Sequence, residues 1–429
     1  MMFLKFSGFM KQIASIKTCF SIFLVCSSLI SSTWAQNWSR WLGPNNNGST
    51  DSLVLEIPGK SKNFSTAWNI SVGAGWSSPL IEDGAVFFHD RVGSNELVHC
   101  LDIKTGEELW SYSYRSGYRD DFGMANGPRS TPALSKGIIV THGPQGLVHA
   151  LNSKDGTLLW SRDLSQDFAS PKGFFGRCSS PLISNDHVVF NVGGPRSGLV
   201  AFSLVTGETK WKSKPYGNDY ASPVLFSSDG QTFCLAFVRE GFLVVELESG
   251  KEIFFDSFRS SINASVNAAS PLVIGNQVFL SSCYGVGAGL WGFYSRLNSP
   301  ASFKKIWSEK DLLSCHYSTP VAHNDYLFGF HGRQERGPTL RCISLKKRSL
   351  TWEVSSLGSG NLIKIANRIL TFTDRGELIV FSCDPTHFKI LHRQQILGTG
   401  GRSHFAIAGG VLVARDQRRL ICLNLKKFE

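Results

Sequence analysis

The sequence predicts an all-β chain: an eight-bladed β-propeller of four-stranded antiparallel blades, closed by an N-terminal strand. Three observations carry this reading. Residues 130–160 (STPALSKGIIVTHGPQGLVHALNSKDGTLLW) hold four short apolar runs, split by Ser-Lys-Gly, Gly-Pro-Gln-Gly and Asp-Gly. Runs of Val, Ile and Leu bounded by glycine turns read as an antiparallel meander. One such sheet has two bare faces, so copies must stack to bury a core. The copies are present at a spacing of about 42 to 53 residues, the range of propeller blades.

Each copy opens on a Ser/Ala-Ser/Thr-Pro triplet, ending at Pro79, Pro132, Pro181, Pro223, Pro271 and Pro320. Looser versions follow at Gly360-Asn361-Leu362 and Ser403-His404-Phe405. A large residue closes each copy: Trp110, Trp160, Trp211, Phe254, Trp307, Trp352 and, more weakly, Ile390. Openings therefore number eight and downstream closers seven. The missing fourth strand lies at the other end of the chain, where Ala67-Trp68-Asn69-Ile70 precedes the first opening. If Trp68 closes the last blade, the ring locks terminus to terminus and leaves no free sheet edge.

Taken in order, residues 1–35 read as a secretory signal. Lys5, Lys11 and Lys17 form a basic leader, Cys19–Ile30 an apolar run, and Thr33-Trp34-Ala35 a small-x-small cleavage site. The run is too short to span a bilayer comfortably. Val25 before Cys26 does not fit a lipobox, so the expected product is exported, periplasmic or extracellular, without lipidation or a transmembrane segment. Residues 36–65 read as an irregular lead-in whose Trp38 and Trp41 pack on the ring, and 66–429 as the propeller. Removing the leader lowers the formal charge from +11 to +8. For an exported protein this balance suits solubility or an anionic glycan rather than nucleic acid.

Glycine stands four positions before the first four closers, at Gly106, Gly156, Gly207 and Gly250, where the turn into the fourth strand needs positive φ. Ten positions before them stand Cys100, Ala150, Ala201 and Val244, and Cys342 and Cys422 fit the same place. Cysteine there substitutes for alanine as a small apolar filler. The spacing leaves the state of Cys178, Cys234, Cys283, Cys315 and Cys383 open.

Cys-Leu-Asp-Ile-Lys-Thr-Gly-Glu-Glu-Leu-Trp and Ala-Leu-Asn-Ser-Lys-Asp-Gly-Thr-Leu-Leu-Trp resemble the repeat of the pyrroloquinoline-quinone-like propellers. That superfamily includes quinoprotein dehydrogenases and the BamB type. The lead-in Trp-x-x-Trp-Leu-Gly-Pro-Asn-x-x-Gly is similar to exported proteins of the planctomycete type. The resemblance implies the fold over residues 66–425 and leaves catalysis and binding both open. A quinoprotein site, by the same resemblance, would need a vicinal disulfide, a stacking tryptophan, and Glu, Asn and Asp around Ca²⁺. The sequence has no Cys-Cys pair and no acidic cluster. It also has no GxSxG, HExxH, P-loop or Cys/His zinc pattern. No cofactor is therefore expected; pyrroloquinoline quinone with Ca²⁺ belongs only to the alternative, a quinoprotein-like oxidoreductase with a degenerate site.

In an up-down meander the loops joining second and third strands share a face with the blade-to-blade loops. The former carry Arg91, His142, Arg196, Arg239, His331, Arg333, Arg375 and Arg415. From both sets, Trp76, Arg129, Arg177, Tyr220, His316, Tyr317, Arg333 and Arg402 form a candidate ligand funnel, suited to an anionic or glycan ligand. The opposing reading is that Asp90-Arg91, Arg239-Glu240, Asp374-Arg375 and Arg415-Asp416 neutralise themselves at hairpin tips. The resulting expectation is a non-catalytic scaffold for an envelope protein, peptide or anionic glycan, as a monomer or within a complex.

Overall fold

The computed structural model describes residues 37–429 except 52, 60, 297 and 298, so the leader expected at 1–35 lies outside the described residues. Seven blades run in sequence, over residues 80–115, 133–163, 182–212, 224–257, 272–309, 321–354 and 360–395, each a simple meander. The eighth takes three strands from the C-terminal end, Ala406–Ala408, Val411–Arg415 and Arg419–Phe428. Its fourth is Phe64–Ser71, antiparallel to Arg419–Phe428, with Trp68 opposite Cys422. The ring is closed as the repeat count predicts.

The spacing of closers and small residues is a cross-strand register. Cys100 faces Trp110, Ala150 faces Trp160, Ala201 faces Trp211, and Cys342 faces Trp352. A small residue opposite leaves room for the indole to lie down and reach the next blade. The indole N–H groups of Trp68, Trp110, Trp160 and Trp211 donate to Ile103, Ser153, Leu204 and Leu247 in the following blade, at 2.8–3.0 Å. Each ring also covers that blade's turn glycine. A Cβ on Gly106 would stand 2.8 Å from Trp68, and one on Gly156 2.6 Å from Trp110. Glycine is thus required twice, by φ near +74° and +73° and by the indole above it.

Ile390 does not close the seventh blade. A bulge at Val380/Phe381 puts His392 in the closing register, where it is buried and meets Phe64 edge-on at 5.1 Å. Ile390 takes the place that Leu158 holds in blade 2, on the far side of the bulge, and is exposed. The spacing hid the histidine: Val380 and His392 stand twelve apart where Ala150 and Trp160 stand ten, because the turn at 383–389 is two residues longer than the one at 153–157, while the bulge itself recurs in the other blades.

The opening triplets have their own reason. The N–H groups of Ser78, Thr131, Ser180, Ser222 and Ser270 donate to the hydroxyls of Thr131, Ser180, Ser222, Ser270 and Thr319 respectively, at 2.9–3.3 Å. The second triplet position therefore needs a hydroxyl, which links neighbouring inner strands around the axis.

The lead-in crosses that axis. Trp38 pairs with Ile81 of blade 1, and the Ser39 carbonyl accepts from Leu134 of blade 2. The Arg40 guanidinium reaches Ile183 of blade 3, and Trp41 donates to the Ser270 hydroxyl of blade 5. The segment is not wholly irregular: Ser49–Thr50 pairs in parallel with Lys364 and Ile365 of blade 7.

Candidate functional site

On the loop face, the channel opens into a cavity of about 160 Å³ with Trp41 of the lead-in as its floor. Six of the eight funnel residues line it: Trp76, Arg129, Tyr220, His316, Tyr317 and Arg402. They arrive on blade-to-blade loops, which the hydroxyl chain of the opening triplets holds at one level. Arg177 is not among them. It is buried, and its guanidinium is consumed by the Ser170 hydroxyl and the Ser170 and Gln145 carbonyls. Arg333 sits beside the cavity, 4.9 Å over the Tyr284 ring and 3.3 Å from Glu335.

The two arginines that line the cavity differ in what they hold. Arg129 pairs with Asp120 at 2.9 Å and donates to the Phe175 carbonyl. Arg402 stands 4.6 Å over the Trp76 ring, and its one side-chain hydrogen bond is a weak one to the Met124 sulfur at 3.7 Å. Among the described residues it has no carboxylate within ion-pair distance. Arg129 approaches the same indole at 5.0 Å, so Trp76 carries two cations and fixes both in position.

Several other polar groups in the wall are already committed. The Ser180 and Ser222 hydroxyls accept the backbone donors of the inner chain. Tyr220 accepts from Phe174 and Phe175, and Tyr317 donates to Ser359 at 3.1 Å. Burial pushes the Tyr317 phenol and the Cys178 thiol each up to about 12, so neither ionises near neutrality. Burial also lowers His316 to about 4, leaving it a neutral imidazole with Nε2 3.0 Å from the Tyr284 hydroxyl. The wall thus offers Arg402 as a cation without a carboxylate partner, unpartnered polar atoms at Trp76 Nε1, His316 Nδ1, Gln334 Oε1 and His404 Nε2, and little nucleophilic chemistry.

Sequence reasoning missed the apolar part of this site. The Phe175 ring lies tilted against Tyr220, centroids 5.8 Å apart, and Phe122 and Phe174 beside it are 56% and 40% exposed. The signal was Gly-Phe-Phe-Gly at 173–176, two adjacent aromatics in a loop. Trp41 was read as packing on the ring but not as the cavity floor.

The hairpin-tip dipeptides do not neutralise themselves as expected. Their acids accept backbone N–H groups of the preceding loop: Gly73 to Asp90, Gly217 to Glu240, Ser359 to Asp374 and Gly398 to Asp416. The arginines turn elsewhere, Arg91 to the carbonyls of Ser116, Tyr118 and Asn126, and Arg415 to those of Gly73 and His89. Each pair staples two loops. These cations are structural and do not add to the funnel.

The residues present do not suit a quinone with calcium. Asp120 is saturated by Arg129 and by the N–H groups of Phe122, Met124 and Ala125, and Glu335 is held by Arg333. No group of three or more His, Cys, Asp and Glu side chains converges among the described residues. All eight described cysteines are free, and seven are buried.

Residues 94–354 match the family described as outer membrane protein assembly factor BamB. That protein from Yersinia pestis is 25% identical over 255 residues, 56% of this chain and 55% of its own. The quinohemoprotein alcohol dehydrogenase ADH-IIG of Pseudomonas putida is 26% identical over 141 residues, 32% of this chain and 19% of its own. The chain spans about half the length of the BamB relatives it matches. The crystal structure of BamB from Moraxella catarrhalis superposes with a TM-score of 0.60 at 15% identity, over 84% of this chain and 98% of that one. Quinohemoprotein alcohol dehydrogenase from Comamonas testosteroni gives 0.61 at 11%, over 91% and 80%. Likenesses this distant show the fold alone, and the dehydrogenases share it. The family match, covering well over half of the chain, decides membership: this protein belongs to the BamB family of PQQ-like β-propellers.

Proposed function

We propose that this chain is an exported, non-catalytic scaffold that binds a protein or peptide partner in the cell envelope through the loop face. The observation that carries the reading is Arg402, a cation without a carboxylate partner, fixed on Trp76 in a cavity lined mostly by apolar surface. Such a wall suits recognition of an anionic group, and no metal donor set converges beside it among the described residues. The exposed Phe122 and Phe174 extend the apolar surface outward and suit a polypeptide. Export rests on the leader expected at 1–35, and an envelope partner accords with relatives named as assembly factors.

The second reading, a quinoprotein-like oxidoreductase, is favoured by the dehydrogenases among the relatives. Against it stand the missing vicinal cysteines and the committed carboxylates.

The test is titration of the purified mature protein, by intrinsic tryptophan fluorescence, with acidic peptides and acidic oligosaccharides at low and high salt. Peptide binding that weakens with salt and is lost in R402E supports the scaffold. Binding of oligosaccharide alone, or binding untouched by R402E, contradicts it.

A further inference from the structure

Resting on the scaffold reading, we propose that the cavity receives the C-terminal residue of an apolar polypeptide, its side chain on the aromatic wall and its carboxylate on Arg402.

The cavity is blind. Residues 38–50 touch blades 1, 2, 3, 5 and 7 across the axis, and Trp41 forms the floor, so a chain cannot thread through. Its volume of about 160 Å³ admits one ring-sized group, since an apolar cavity of about 150 Å³ holds a single benzene. The lining favours one ligand class. It is mostly apolar, with Trp41, Trp76, Phe175, Tyr220 and Tyr317 around the space, and suits an apolar body better than a ring that carries several hydroxyls. The unpartnered polar atoms are few, at Trp76 Nε1, His316 Nδ1, Gln334 Oε1 and His404 Nε2. One anionic group is matched by one unpaired guanidinium, pre-set on Trp76 for charge-assisted hydrogen bonding.

A chain end supplies both features from one residue. The α-carboxylate and the side chain share a Cα, so the side chain can fill the ring-sized space while the carboxylate stays at its wall on Arg402. An internal loop would need two residues and a turn in the same volume. The preceding residues would leave over Phe122 and Phe174, whose exposure the propeller itself does not require.

The experiment uses the mature protein and fluorescence anisotropy of a labelled six-residue peptide ending in phenylalanine. The free acid is compared with its C-terminal amide and with the free acid of a serine-ended peptide. The expected result is at least tenfold weaker binding for both controls. R402Q should reduce the free acid to the level of the amide without changing the amide, and a thermal melt of R402Q checks that the fold is kept. Equal affinity for acid and amide overturns the chain-end proposal while the scaffold stands. Binding of phenylpropionate as tightly as the peptide also overturns it, because the polypeptide would then contribute nothing. No binding of any peptide removes both this proposal and the reading beneath it.

Discussion

The Trp68 indole N–H donates to the Ile103 carbonyl at 2.8 Å, tying the strand that completes the last blade to the third-to-fourth-strand turn of the first. The same bond recurs from Trp110, Trp160 and Trp211 to the blades that follow them, but only Trp68 makes it across the closure.

Trp68→Ala should therefore cost about 3–5 kcal/mol, the usual loss for truncating a buried aromatic. W68F keeps a ring on Gly106 and forfeits mainly the hydrogen bond, about 1 kcal/mol. Urea unfolding of the two variants separates the effects. A W68A protein within about 0.5 kcal/mol of the parent, a surface-like change, would refute the closure account.

Gly156→Ala tests the second half of the contact. The new Cβ would meet Trp110 at 2.6 Å on a backbone with φ +73°. Gly93 has φ +60° and nothing within 4 Å, so G93A carries the backbone strain alone, about 1 kcal/mol. G156A should be the more damaging by about 1–3 kcal/mol, as overpacking costs elsewhere. Equal melting shifts for the two variants would show that the indole yields freely.

Cys100, Cys342 and Cys422 should remain reduced and resist thiol reagents in the native protein. Burial pushes their thiols up to about 12, 11 and 12. Alkylation before and after denaturation, read by mass spectrometry, should label them only afterwards. A disulfide-linked peptide containing any of the three contradicts their role as small fillers beneath the tryptophans.

Acid should destabilise the fold between about pH 6.5 and 4. Burial lowers His89 to about 3 and His142, His149, His316, His331 and His404 to about 4. As pH falls through this window the unfolded chain takes protons on these groups before the folded one, so stability is lost. Roughly 3 kcal/mol attaches to each of the fully buried His142 and His404. Asp219 and Glu82, raised to about 7 by burial, act in the opposite sense, as do Glu96, raised by burial, and His99, raised against its burial by Asp90 and Glu108, but the six lowered histidines outnumber them. A melting temperature that rises from pH 6.5 to 4.5 would contradict the neutral burial of the histidines.

The ring was legible in the sequence because six blades open on a hydroxyl before proline, most close on an indole, and the first four carry the turn glycine. Blade 7 hid its closer, His392, because a histidine after a turn two residues longer matches neither the residue type nor the spacing. The site was half legible. Loop position alone brought Arg129 and Arg402 to one cavity, since blade-to-blade loops share a face. Nothing in a one-dimensional pattern distinguishes Arg177, spent on Ser170 and Gln145, from Arg402, which is free. That difference is set by which carbonyls and carboxylates the neighbouring loops present.

The central claim, a scaffold rather than a quinone enzyme, is tested most directly by isothermal titration of the mature protein with pyrroloquinoline quinone in the presence of Ca²⁺, followed by dye reduction with simple alcohols. The account predicts no stoichiometric uptake and no turnover. One-to-one binding accompanied by alcohol-dependent dye reduction would contradict it.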